Sequence, residues 1–234
     1  MKKLFTLSLA ALALVASLAF VAQPARAQGP GLVSSILNKM DRNRRSLSSL
    51  RAALTMQKYN AQLHDDDMSY GEVAYAAGKG RDADVRVDWT RPVRESLSVT
   101  GGQYTLYRPR LNQAYQGSTR AQQKNTKVNS VLSFAFNMTG AQAKNQFDVS
   151  YEGDGTLEAG GPHVWWLKLT PRGRAEFQFA EVWVTDDGMP IQTRVTEKNG
   201  DSTLVRLTNI QRNARVSPEE IKIELPAGTK IVKG

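Results

Sequence analysis

Two histidines, His64 and His163, and a set of carboxylates are the first places to look for acid–base or metal chemistry. His64 precedes Asp65, Asp66 and Asp67, a run that could suggest a metal site. Neighbouring side chains on an extended chain point in different directions, so "HDDD" reads as a polar turn between strands. His163 follows "GGP" and has no second His or Cys at ligand spacing, so it reads as a surface or strand-end residue. Glu176 and Glu181 could in principle act as acid and base. Nothing separates them from carboxylates that are simply solvated on a sheet surface. "GDG" at Gly153 to Gly155 and "DDG" at Asp186 to Gly188 lack the alternating oxygen ligands of a calcium loop. There is no G-x-S-x-G, no Walker motif and no dinucleotide fingerprint. The residues therefore assign no catalytic role, no metal and no other cofactor, and the expectation is that the chain is not an enzyme.

A basic sheet with exposed aromatics can stack bases. Here Trp165, Phe177, Phe179 and Trp183 alternate along strands as core residues would, and no dense Lys/Arg cluster lies beside them in sequence. No nucleic-acid partner is expected.

The elements that must position any site begin after a leader. Lys2 and Lys3 precede the apolar stretch Leu4 to Val21, and Ala25 and Ala27 give a small-x-small pattern. That is a signal peptide over residues 1–27, cleaved after Ala27, and it implies export to the periplasm. The rest, residues 28–234, reads as a single domain, soluble after cleavage and monomeric. The leader contains Lys2, Lys3 and Arg26. Removing these three from the 31 Lys and Arg leaves 28 against 22 Asp and Glu, a charge of +6. With no block of like charge, this is ordinary solvated surface. There is no cysteine, hence no disulfide framework and no residue to carry a lipid anchor.

Gly31 to Arg44 reads as an amphipathic helix, with Leu32, Val33, Ile36, Leu37 and Met40 on one stripe. From Leu50 the period changes to two. Alternating segments run over Leu50–Asn60, Met68–Ala77, Asp84–Thr90, Ser96–Thr100, Tyr104–Tyr107 and Asn112–Gln116. Ser118 to Asn145 interrupts them. Its centre, "VLSFAF", fits a helix face through Val128, Val131, Leu132, Ala135 and Phe136, while Val131 to Phe136 alone also fits a strand. Alternation resumes over Phe147–Tyr151, His163–Thr170, Glu176–Thr185, Ile191–Glu197 and Thr203–Ile210, with turns at "EGDG", "TPRGR", "DDGMP" and "KNGD". A strand over Ile221 to Leu225 is expected to close the chain. The fold class is mainly β (α+β): an antiparallel, unclosed barrel of about eleven strands, with helices over the concave face. Such a face is too wide to fill from the sheet alone. Whether the helices fill it or leave an apolar cavity is open from periodicity.

Three stretches carry a family resemblance. "PVRESLSVTGGQYTLYRPRLNQAY" (Pro92 to Tyr115) resembles the segment of LolA-type carriers in which a proline starts a strand, a turn follows and a "W-x-Y-x-P-x-x-x-Q" strand returns. The matching positions are Pro92, Gly102, Tyr107, Pro109 and Gln113, with Thr105 where the family often has tryptophan. "VWVTDDGMPIQTRVTEKNGDSTLVRLTNIQRN" (Val182 to Asn213) resembles the late hairpins, with Asp187, Gly188 and Pro190 in the turn. "EEIKIELPAGTKIV" resembles the closing element, with Ile221 and Ile223 for its phenylalanines. The resemblance implies an unclosed barrel with a helical lid over a lipid cavity. It implies a lining of Leu54, Met56, Val87, Trp89, Leu97, Val99 and Leu106, and a lid of Leu132, Phe134, Phe136 and Met138. Arg81 would be the arginine that latches the lid. The implied activity is carriage of lipoprotein acyl chains from an inner-membrane ABC exporter to an outer-membrane acceptor. Another amphiphile, such as a glycolipid, or a lipid-free sensor or interaction domain are the alternatives.

Overall fold

The computed structural model describes residues 29–78, 83–118 and 138–233. The leader, Arg81 and the lid residues Leu132, Phe134 and Phe136 lie outside this set.

Helix α1, Gly29–Ser46, carries the expected stripe: Val33, Ile36, Leu37 and Met40 are buried. Burying a side chain the size of Ile36 or Leu37 stabilises the fold by roughly 1.5–3 kcal/mol. Arg44 and Arg45 in the last turn complement the negative end of the helix dipole. Helix α2, Gly140–Gln146, starts with a capping box between Thr139 and Gln142. It sits on α1 at Gly140, whose N–H donates to Asp41 Oδ1 at 3.0 Å. A Cβ there would stand 2.8 Å from Asp41 Oδ2, so a larger residue would have to displace the Asp41 carboxylate.

The strands are β1 Ser49–Asn60, β2 Asp65–Ala77, β3 Ala83–Arg91, β4 Glu95–Thr100, β5 Gln103–Arg108 and β6 Gln113–Ser118. Then follow β7 Phe147–Thr156, β8 His163–Pro171, β9 Phe177–Thr185, β10 Pro190–Glu197, β11 Ser202–Arg212 and β12 Lys230–Lys233. They form one 12-stranded sheet in the order β12-β6-β5-β4-β3-β2-β1-β11-β10-β9-β8-β7. The two ends of that order do not pair, so the barrel is unclosed, as expected. Two antiparallel meanders meet where β1 pairs with β11. β12 joins β6 in the sheet's parallel pairing.

Three local expectations are corrected. "EGDG" is not a hairpin turn: β7 runs through it, with a bulge between Tyr151 and Gly153 that takes up Glu152 as the extra residue. Asp65, Asp66 and Asp67 belong to β2, because they pair with Asn60, Tyr59 and Lys58 across the hairpin. The strand expected over Ile221 to Leu225 is absent. Instead, a short helix α3, Pro218–Ile221, capped by Ser217, presses Ile221 onto the outer face of β2, β3 and β4. Long-range contacts decide this conformation. Arg86 donates to the carbonyls of Glu220 at 3.0 Å and Lys222 at 2.8 Å, and Arg51 bonds the Glu220 carboxylate. The C-terminal segment is thus a strap across the outside of the sheet.

Candidate functional site

Side chains paired across strands share a face, so the register sorts the sheet into rows. On the inner face one row runs Ala52, Val73, Val87, Leu97, Leu106, Tyr115 from β1 to β6. A second runs Leu50, Tyr75, Val85, Val99, Tyr104, Gly117. Tyr104 lies across Gly117, where a Cβ would stand 2.8 Å from its ring. Burial holds the Tyr75 hydroxyl above its ordinary pKa, against the opposing pull of Arg44. A third row, nearest the β3–β4 and β5–β6 loops, runs Leu54, Gly71, Trp89, Glu95. It continues to Arg108 and Gln113.

The expected lining residues Leu54, Met56, Val87, Trp89, Leu97, Val99 and Leu106 all fall on this face. Leu54, Met56, Val87, Trp89 and Leu97 are buried, while Val99 and Leu106 are half-buried. Met138 is elsewhere: it lines a shallow pocket with Met40, Leu47, Met189 and Pro190, at the C-terminal end of α1.

In the row Trp89, Glu95, Arg108, Gln113, the sequence singles out Trp89 as lining and Gln113 as a family position, but neither Glu95 nor Arg108. Arg108 Nε lies 3.0 Å from Glu95 Oε1 but off the line of its N–H, an ionic contact without a hydrogen bond. The guanidinium stacks 5.2 Å over the Tyr115 ring, and the Tyr115 hydroxyl donates to Gln113 Oε1 at 3.1 Å. Trp89 is 9 % exposed and its Nε1 has no hydrogen-bond partner among the described residues. A buried donor left unpaired costs about 1–3 kcal/mol. Gly71 makes the room beside it: a Cβ at Gly71 would stand 2.3 Å from the Asp88 carbonyl oxygen and 3.0 Å from Trp89 Cα. The signal for this row was in the sequence. Glu95 shares its parity with Leu97 and Val99, and Arg108 with Tyr104 and Leu106.

On the other half of the inner face, Leu167 and Leu169 of β8, Ala180 and Val182 of β9, and Thr193 and Val195 of β10 are all buried. The α1 stripe belongs to the same core. Gly188, in the β9–β10 turn, touches α1 so closely that a Cβ would stand 2.2 Å from the Lys39 carbonyl oxygen.

His163 is not the isolated residue its sequence suggests. Its Nε2 lies 3.0 Å from Asp154 Oδ2 and its Nδ1 3.0 Å from Asp186 Oδ1. Trp165 Nε1 donates to the same Asp186 oxygen at 2.9 Å, and Tyr151 donates to Asp154. Hydrogen bonds to Asp154 and then Asp186 raise the His163 pKa, and bonds from Tyr151 and then His163 lower that of Asp154. The imidazole ties β7, β8 and the β9–β10 turn together. Among the described residues no group of His, Cys, Asp or Glu is arranged to hold a metal ion, and no helix is long and apolar enough to cross a membrane.

On the outer face, an open groove of about 510 Å³ lies beside the strap, lined by Arg51, Ala53, Glu72, Arg86, Asp88 and Glu220 among others. Four of its charges form two pairs, Arg51 with Glu220 and Arg86 with Asp88. Arg86 Nε donates to Asp88 Oδ2 at 2.7 Å, and Ser96 donates to Asp88 Oδ1 at 2.5 Å.

The family described as outer membrane lipoprotein carrier protein LolA matches residues 80–224, more than half of the chain. No curated protein matches the sequence. Among solved structures, MucB aligns with a TM-score of 0.56 at 14% identity, over 83% of this chain and 63% of its own. In the Pseudomonas aeruginosa MucA/MucB complex the values are 0.51 and 14%, over 82% of this chain and 61% of that one. The chain thus spans less than two thirds of these relatives. An uncharacterized conserved protein from Thermus thermophilus aligns with a TM-score of 0.54 at 15% identity, over 87% of this chain and 99% of its own. At these identities the likeness is one of fold.

Proposed function

The chain belongs to the LolA family of outer membrane lipoprotein carrier proteins, and from that premise we propose that it is a periplasmic carrier for lipoprotein acyl chains. In this reading residues 1–27 are a cleaved leader and 28–234 form one soluble, monomeric domain. The protein takes acylated proteins from an inner-membrane ABC exporter and delivers them to an outer-membrane acceptor. The family is one of binding and carriage, not of catalysis. The observation that carries the reading is the continuous apolar surface of β1 to β6, on which Val99, Leu106 and Tyr115 remain only half-buried. Each methylene buried there contributes roughly 0.8 kcal/mol, so a chain of ordinary length supplies ample affinity. In this reading Leu54, Met56, Val87, Trp89 and Leu97 form the floor of the site, Leu132, Phe134 and Phe136 belong to its lid, and Arg81 latches the lid.

Native mass spectrometry of the protein taken from the periplasm tests this directly. Bound acylated polypeptide is the expected result. Recovery of the protein bare, with no uptake of a fluorescent fatty acid in solution, would refute carriage. Recovery with a glycolipid and no acylated protein would replace the cargo and keep the site. The likeness to MucB, solved in complex with MucA, favours a second reading as an interaction domain that binds a partner protein without lipid. The bare protein is the outcome that reading requires.

A further inference from the structure

The lip row raises a question that an apolar site alone does not answer: why does a polar row stand on the same face as the acyl floor? The row has no net charge, because Glu95 and Arg108 are 3.0 Å apart. It also has an excess of donors. Trp89 Nε1 is a donor only and has no partner among the described residues. The Arg108 side chain is 38 % exposed, so its outer N–H groups reach the open side of the row, while Nε–H lacks an acceptor within bonding geometry. Gln113 Oε1 already accepts from Tyr115. A carboxylate or phosphate placed here would face Glu95, and a cation would face Arg108. What fits is an uncharged acceptor oxygen. It must sit where an acyl chain leaves the Val87, Leu97 and Leu106 row, since Trp89, Glu95 and Arg108 each stand two residues farther along the same strands, on the same face.

We propose that Trp89, with Arg108 beside it, forms a subsite for the carbonyl oxygen of an acyl ester or amide, whose chain lies on the Val87–Leu97–Leu106 row. The subsite reads the root of the chain and sets its depth. It distinguishes acyl linkages from ether-linked or plain alkyl chains, which offer the same methylenes without that acceptor. Glu95 holds the guanidinium and cancels its charge, so that the selected acceptor is neutral. This inference rests on the carrier reading above, and the test separates the two.

The probes are 1-monopalmitoylglycerol and 1-O-hexadecylglycerol, which share chain length and headgroup and differ in the carbonyl. Each is titrated as a competitor of a fluorescent fatty acid bound to the full mature chain. The wild type is expected to bind the ester about fivefold to tenfold more tightly than the ether, the range of one good hydrogen bond. Trp89→Phe keeps an aromatic side chain, smaller than the indole, and removes the N–H. It should bring the ester-to-ether ratio down to about one, whatever the lost ring area does to both probes together. Trp166→Phe is the control. Its Nε1 is also buried without a partner among the described residues, but Trp166 pairs with Trp183 on the outer face. Its ester-to-ether ratio should equal that of the wild type. Equal binding of the two probes by the wild type, or a ratio that survives Trp89→Phe, overturns the subsite and leaves acyl carriage standing. Binding of neither probe nor the fatty acid overturns both.

Discussion

The inner face of the sheet has two halves that differ in how they are finished. Over β7 to β10, side chains from α1 complete the core: Ile36, Leu37, Leu167, Leu169, Val182 and Val184 have almost no exposed surface. Over β3 to β6 the same alternation buries Val87, Leu97 and Tyr104 but leaves Val85, Val99, Leu106 and Tyr115 only partly buried, and it ends in a lip with an unpaired donor. Apolar residues of similar size occupy both halves. What separates them is the partner. A helix that contributes a stripe at every turn converts a sheet face into core, whereas a face without that stripe stays available to another apolar surface. Fold stability therefore concentrates in one half and the proposed binding in the other.

The sharpest way to break this division is Leu97→Glu. A carboxylate on the floor of an apolar site costs several kcal/mol unless it is paired or protonated. Uptake of a fluorescent fatty acid should fall at least about a hundredfold while the thermal transition persists. Unchanged uptake would mean that the β3–β6 half is not the binding half. Ile36→Ala tests the other side. It removes a fully buried side chain from the α1 stripe and should cost about 2–4 kcal/mol in denaturant unfolding. Uptake below the transition should be nearly unaffected; a selective loss of uptake would erase the distinction between the halves.

The smallest effect concerns the clamp at the end of the filled half. The folded-state pKa of His163 is raised by Asp154 and Asp186, so its stabilisation is fully present below the unfolded value near 6.5 and is lost as pH rises through the folded value. Asp154 is shifted down, so its share is present above the ordinary carboxylate pKa and is lost as pH falls through the folded value. His163→Gln should flatten the alkaline-side decline in melting temperature and leave lipid uptake alone. A decline of equal slope in the variant would assign it to other groups.

Much of the architecture was legible in the sequence because it depends on local signals. The α1 stripe is one. The hairpin at Gly101 and Gly102, with φ of +57° and +76°, is another, and it fixes the β4–β5 register on which the lining residues depend. From that register, parity alone places Glu95 and Arg108 beside the apolar rows. Polar residues at strand ends ordinarily mark the exit to solvent, and that expectation hides the row. Other features depend on long-range contacts. Ile223 and Leu225 alternate as a strand would, yet Arg51 and Arg86, far back in the chain, set the path of the segment before them. His163 acquired its partners the same way: Asp154 and Asp186 each stand in a stretch that reads as a turn, and only the stacking of β7, β8 and β9 brings them around one ring.

The pairing of β1 with β11 also sets a timetable. Ser49–Asn60 must wait for Ser202–Arg212 before the centre of the sheet can zip, so the longest loop closure in the fold falls at its middle. Contacts of such separation slow folding. Until they form, the chain holds two separate meanders, each with an open edge, β1 on one and β11 on the other. Such edges invite strand addition from other chains. A chain truncated before Ser202 would retain its first meander and its apolar rows, and aggregate through the edge that β11 normally occupies.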